Sequence, residues 1–189
     1  MRITLAENGT DIRRAFVEKH TMPWPRFLEN HRDWVKFLED RKYPVRYEDR
    51  FLWELMDYPT VPFDQALALL RSMEGDVFFM SEGETSPHCH GLLIDGKTHK
   101  GGVAKAKAAA LSDLIGYEWY EQWRLSAMDS YLADRVLPDD LYVFDTGMER
   151  LLVFTHENDF WDLELEQPMK AAASRFCKMY GFDASEDSV

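Results

Sequence analysis

The hydrophobic positions change period along the chain. Residues 1–6 read as a short strand or extended arm. Thr10 and Asp11 stand where they would cap a helix reaching about His20, with Ile12, Ala15, Phe16 and Lys19 at helical spacing. Pro23-Trp24-Pro25 interrupts that helix, because a proline lacks a backbone donor and restricts the residue before it. A second helix is predicted from about Arg26 to Arg41, its buried stripe formed by Phe27, His31, Trp34, Val35 and Leu38. Residues 51–56 are short and aromatic and suit a strand. After the turn at 57–62, Pro62 opens a helix that carries Ala66, Leu67, Leu69, Leu70 and Met73.

Val77-Phe78-Phe79-Met80 predicts a buried strand, 82–88 a polar loop, and Leu92–Ile94 a strand turning at Asp95-Gly96-Lys97. The longest predicted helix runs from about Val103 to Asp134, alanine-rich at its start, with Leu111, Leu114, Ile115, Trp119 and Trp123 on its stripe and Gly116 as a point of division. A hairpin pairs 141–144 with 151–154 around Asp145–Met148, and a last helix is expected from about Met169 to Tyr180. The order predicts one α+β domain: a largely antiparallel sheet with a β-hairpin in its C-terminal half, packed by several helices and preceded by two N-terminal helices. Within it, 1–45 form a helical part, 46–182 the α+β body and 183–189 a frayed acidic tail.

Composition sharpens this picture. Hydrophobic residues make up 46% of the 189 and aromatics 14%, enough for a substantial core. The net charge of −12, from 34 acidic and 22 basic residues, opposes binding to nucleic acid and to anionic membranes and favours a basic protein partner. Glu7 and Asp11 interrupt any apolar leader, and no apolar run reaches the length of a membrane span. Two distant cysteines, Cys89 and Cys177, fit a cytoplasmic protein with no disulfide between them.

Three stretches stand out together: Phe51-Leu52-Trp53-Glu54-Leu55 before a proline-containing turn, Val77-Phe78-Phe79-Met80, and Asp140-Leu141-Tyr142-Val143-Phe144-Asp145 leading across a hairpin to Val153-Phe154-Thr155-His156-Glu157. Over roughly Tyr47 to Asn158 the pattern resembles a group of small uncharacterised bacterial proteins with an aspartate-flanked strand and a Thr-His-Glu strand end. Met148-Glu149-Arg150-Leu151 departs from it, standing where an aromatic would lead the second strand. The resemblance implies a small cytoplasmic α+β fold and carries over no catalytic residue.

Chemistry has few footholds. His88 and His90, two apart, would share a face if extended, and His99, His156 or Glu157 would have to complete a metal site. The plainer reading is a surface loop with solvated histidines. His156 beside Glu157 has the composition of a general base, but neighbours on a strand point to opposite faces. Cys89 lies between two histidines without an evident acid partner, and no Gly-x-Ser-x-Gly turn exists. Lys97, Lys100, Gly101 and Gly102 form a basic segment ahead of a predicted helix, the setting of an anion site, though they match no phosphate-binding fingerprint. Trp119, Tyr120 and Trp123 are core or a contact patch.

No motif assembles a catalytic centre, and no cofactor is implied. The first expectation is therefore a non-catalytic interaction protein that meets a basic protein partner through an acidic surface. The alternative is a metal- or small-ligand-binding protein or enzyme using the histidines. The third is homodimerisation through an aromatic surface.

Overall fold

The computed structural model describes residues 2–83, 91–118, 136–138, 140–158 and 175–182. The chain enters through β1 (Thr4–Leu5), α1 (Gly9–His20), α2 (Trp24–Asn30) and α3 (Arg32–Glu39), then makes two short 3-10 turns at Tyr47–Asp49 and Leu52–Leu55. Next come β2 (Thr60–Pro62), α4 (Phe63–Ser72), β3 (Asp76–Ser81) and the hairpin of β4 (Leu92–Ile94) with β5 (Lys97–His99). β6 (Val103–Lys107), α5 (Ala108–Gly116), β7 (Leu141–Asp145), β8 (Leu151–Asn158) and β9 (Arg175–Tyr180) complete the order. Seven strands join in one sheet, β1-β6-β3-β7-β8-β9-β2, with every neighbouring pair antiparallel, and β4-β5 form a separate pair. The expected α+β class, the C-terminal-half hairpin and the helical N-terminal part are all present.

Two-residue alternation decides what covers each face of the large sheet. Val77 and Phe79, Ala104 and Ala106, Leu141 and Val143, Leu152 and Phe154, and Cys177 point to one side, where α4 and α5 lay Phe63, Ala66, Leu70, Leu111 and Ile115 over them. Met80, Val103, Tyr142, Phe144, Leu151 and Val153 point to the other. Ile12 and Phe16 of α1, with Leu52 and Trp53 of the second 3-10 turn and Met56 just after it, cover that side. Phe16 is wholly buried, its ring 4.7 Å from Phe144 and 5.8 Å from Tyr142. Burial of a phenylalanine contributes about 1.5–3 kcal/mol, which fixes α1 to the sheet. Gly181, at a positive φ of 78°, follows β9 and lies against the carbonyl of Glu149, where a Cβ would collide.

Several elements differ from the sequence pattern, each for a physical reason. Thr10 and Asp11 lie inside α1, with Asn8 in the cap position. The single helix expected over 26–41 divides at His31, whose backbone leaves the helical region (φ −111°, ψ 27°). No residue of α3 is buried, so Trp34 is exposed rather than part of a core stripe. Residues 52–55 turn instead of extending, because the N–H groups of Leu52 and Trp53 bond to side chains, not to a neighbouring strand. Val103–Lys107 is a strand: Ala104 and Ala106 face the core while Lys105 and Lys107 reach Asp76 at 3.1 and 2.9 Å. Alanine and lysine favour helix intrinsically, and pairing with β3 overrides that preference. The end of the last predicted helix, 175–180, is instead β9, inserted between β8 and β2. Residues 119–134 and 169–174 of the two predicted helices lie outside the described residues.

Candidate functional site

Chain direction and side-chain parity put one carboxyl where the two halves of the fold meet. β3 places Phe78 and Met80 on the α1 side of the sheet, and Glu82, two residues on, follows the same parity. Glu82 is only 5% exposed. Its Oε2 accepts the phenolic O–H of Tyr142 at 2.6 Å, and its Oε1 accepts the backbone N–H of Leu52 at 3.0 Å. The Tyr142 oxygen in turn accepts the N–H of Trp53 at 3.1 Å.

Above this carboxyl opens a cleft of about 410 Å³, lined by Glu82, Gly83 and Gly101 together with parts of two walls. One wall is α1, presenting Thr10, Arg13 and Val17, which recur at helical spacing beside the buried Ile12 and Phe16. Arg13 donates from Nη1 to the carbonyl of Ser81 at 2.9 Å. The other wall is Tyr47, Glu48, Arg50 and Leu52. Arg50 pairs through Nη1 with Glu54 Oε1 at 3.1 Å, and Glu54 Oε2 accepts the N–H of Phe51 at 2.7 Å. The Arg50 guanidinium lies 5.0 Å from the ring of Trp34, and the ring of Trp24 meets Tyr47 edge-on at 5.8 Å. α2 and α3 thus brace this wall. Lys178 of β9 holds the turn beneath it by donating to the carbonyls of Trp53 and Met56.

Burial pushes the Glu82 carboxyl up to about 7, more than the Tyr142 and Leu52 hydrogen bonds lower it; Asp140 adds to the rise and Arg13 opposes it. Burial, then the charges of Glu82 and Asp140, push Tyr142 well above the ordinary phenol value. Tyr142 therefore remains a donor, while Glu82 switches near neutrality between an acceptor and a group that also donates. Both arginines keep unused N–H groups: Arg50 Nε is buried with no hydrogen-bond partner among the described residues, and Arg13 spends one contact on Ser81.

The residues singled out from sequence fall elsewhere, with one exception. His88, Cys89, His90, Trp119, Tyr120 and Trp123 lie outside the described residues. His99 is on β5, in register with Leu92 in the two-stranded sheet, whereas His156 and Glu157 belong to β8 of the large sheet. Among the described residues no group of three or more His, Cys, Asp or Glu is placed to hold a metal. Lys97 and Lys100 are exposed. Lys100-Gly101-Gly102 leads into strand β6, not into a helix, which removes the helix-end donors an anion would have used there. Gly101 is the exception, since it lines the cleft. Glu82, Arg13 and Arg50 were not singled out. The available signal was a carboxylate directly after an apolar strand, in step with Phe78 and Met80.

Comparison of the chain with family models, curated proteins and solved structures returns no match. Among the described residues no helix is long and apolar enough to cross a membrane.

The sign of the Glu82 shift gives a direct test. Its folded value, about 7, exceeds the ordinary 4.5, so the stability tied to its proton is fully present below pH 4.5 and is lost as pH rises through 7. Relative to the wild type, Glu82→Gln should therefore gain roughly 3 kcal/mol between about pH 4 and pH 8 in urea denaturation. A variant-minus-wild-type difference that stays constant with pH would refute the shift.

Proposed function

We propose that this chain is a small-ligand-binding protein, its ligand seated in the cleft between α1 and residues 47–52, over Glu82. The observation that carries the reading is a carboxyl, buried at 5% exposure, at the floor of an open cleft rather than in closed core, where burial raises its pKa. A bound polar group would meet Glu82 from above, with Thr10 and the two guanidinium groups at its sides. The role is binding rather than covalent catalysis: Tyr142, held protonated, is a fixed donor and a poor nucleophile. This keeps the small-ligand alternative drawn from the sequence but moves it from the histidines to Glu82.

A second reading, protein contact, is supported by the outer side of the α3 region. Phe37 and Tyr43 are 50% and 62% exposed, amid Lys36, Arg41 and Lys42 and also Glu39 and Asp40. Charges of both signs around an apolar centre suit a second copy of the chain across a two-fold axis better than a uniformly basic partner. The acidic excess gives little help here, since most of it falls in the sequence on residues outside those described.

For the cleft, a fragment screen followed by amide chemical shifts should cluster its responses at Arg13, Leu52, Gly83 and Gly101, and Thr10→Trp should abolish them. Responses that avoid these residues would contradict the reading. For the second reading, light scattering should show a concentration-dependent dimer that Phe37→Glu dissociates. A monomer at concentrations up to about 1 mM, beyond the range of useful affinity, would remove it.

A further inference from the structure

Two guanidinium groups face one cleft from opposite walls, and neither has its hydrogen-bonding capacity used up. Arg13 stands on α1 and gives one contact to the Ser81 carbonyl. Arg50 stands on the 47–52 segment, is steadied by Glu54 and Trp34, and buries an Nε that has no hydrogen-bond partner among the described residues. That Nε is sealed from the cleft, so a guest would meet the terminal guanidinium nitrogens, of which Arg50 commits only Nη1, to Glu54, among the described residues. Each guanidinium carries five donors in a plane, a geometry that matches the paired oxygens of a carboxylate or phosphate. Thr10 adds a hydroxyl to the α1 wall.

Resting on the ligand-binding reading above, we propose that the ligand is a small organic anion, its carboxylate or phosphate oxygens gripped by Arg13 and Arg50 while Glu82 hydrogen-bonds them from the floor. The competing charge is modest. Glu48 is exposed at the rim, and Glu54 is committed to Arg50 and to the Phe51 N–H. Glu82 is the one acid on the floor of the cleft among its described lining residues, and in its protonated form it offers the anion an O–H donor instead of a repelling charge.

Anion binding is then linked to proton uptake at Glu82. The groups that set this linkage are Tyr142 from β7, Asp140 just before it, Arg13 from α1, and Arg50, Glu48 and Glu54 from the facing segment. Asp140 and the bound anion both favour the protonated carboxyl, and Arg13 opposes it. By reciprocity, the ligand must bind more tightly as pH falls through the titration of Glu82.

The experiment is an amide chemical-shift titration of the full chain with inorganic sulfate, a tetrahedral stand-in for phosphate, and with succinate. Neutral glycerol and cationic 1,4-diaminobutane serve as comparison probes. Sulfate or succinate should saturate shifts at Arg13, Leu52, Gly83 and Gly101. Arg13→Gln and Arg50→Gln should each weaken that binding by about tenfold or more, the loss of a charge-assisted contact. Arg13→Lys, which keeps the charge without the fork, should fall between, and Arg14→Gln, whose partner is the exposed Asp11, should match the wild type. Sulfate affinity should also drop several-fold from about pH 6 to about pH 8, a drop that Glu82→Gln removes.

Cleft shifts produced by the neutral or cationic probe but by neither anion would overturn the anion assignment and leave the ligand-binding reading standing. Shifts from no probe would overturn both. Anion binding indifferent to both arginine variants, or tightening as pH rises, would overturn the assignment as stated. Melting curves of each variant separate loss of binding from loss of fold.

Discussion

The Glu82–Tyr142 pair is the junction on which this fold turns. Tyr142 sits in the middle of the sheet, paired in register with Met80 on β3 and Val153 on β8, and its hydroxyl emerges at the α1 face. There it donates to Glu82 and accepts from Trp53, while Glu82 accepts from Leu52. Two side-chain oxygens from the sheet therefore satisfy two consecutive backbone donors of the 52–55 turn. Burying those donors without partners would cost about 1–3 kcal/mol each, so the turn and the carboxyl depend on one another. The same arrangement leaves a charged-or-neutral carboxyl under an open cleft, which ties the stability of the turn to the chemistry of the site.

The N-terminal helices gain a purpose in this frame. α1 is anchored by Ile12 and Phe16 and carries Arg13 to the cleft on an adjacent helical position. α2 and α3 bury little, yet their rings stand against the far wall, Trp24 on Tyr47 and Trp34 beside Arg50. A guanidinium near an indole face gains about 0.5–1 kcal/mol when exposed, a modest bias that orients Arg50 without locking it.

The sheet was legible where one period dominates. Val77–Met80 and the two strands of the 141–154 hairpin are apolar, aromatic-containing runs, the hairpin with turn residues between its strands, and both stand as expected. Pattern misled where composition and context conflict: Val103–Lys107 is made of helix formers but alternates core and solvent, and Arg175–Tyr180 is too short for period alone to decide between helix and strand. The 52–55 turn was beyond local reading, since its partners lie about thirty and ninety residues away in sequence. The cleft was illegible for the same reason. Arg13, Arg50 and Glu82 are unremarkable singly, and only the packing of α1 and the 3-10 turns on one sheet face brings them together.

The proton-linked cleft depends on Glu82 being a carboxyl that keeps its proton to near neutrality because it is buried beneath the cleft. The most direct measurement is the side-chain carboxyl carbon resonance of Glu82 followed by NMR from acid to alkaline pH, assigned through Glu82→Gln. A titration midpoint at about 7 is predicted. A midpoint near the ordinary 4.5 would mean that the carboxyl is solvated and ionised throughout the neutral range, and the proton-linked cleft would not exist.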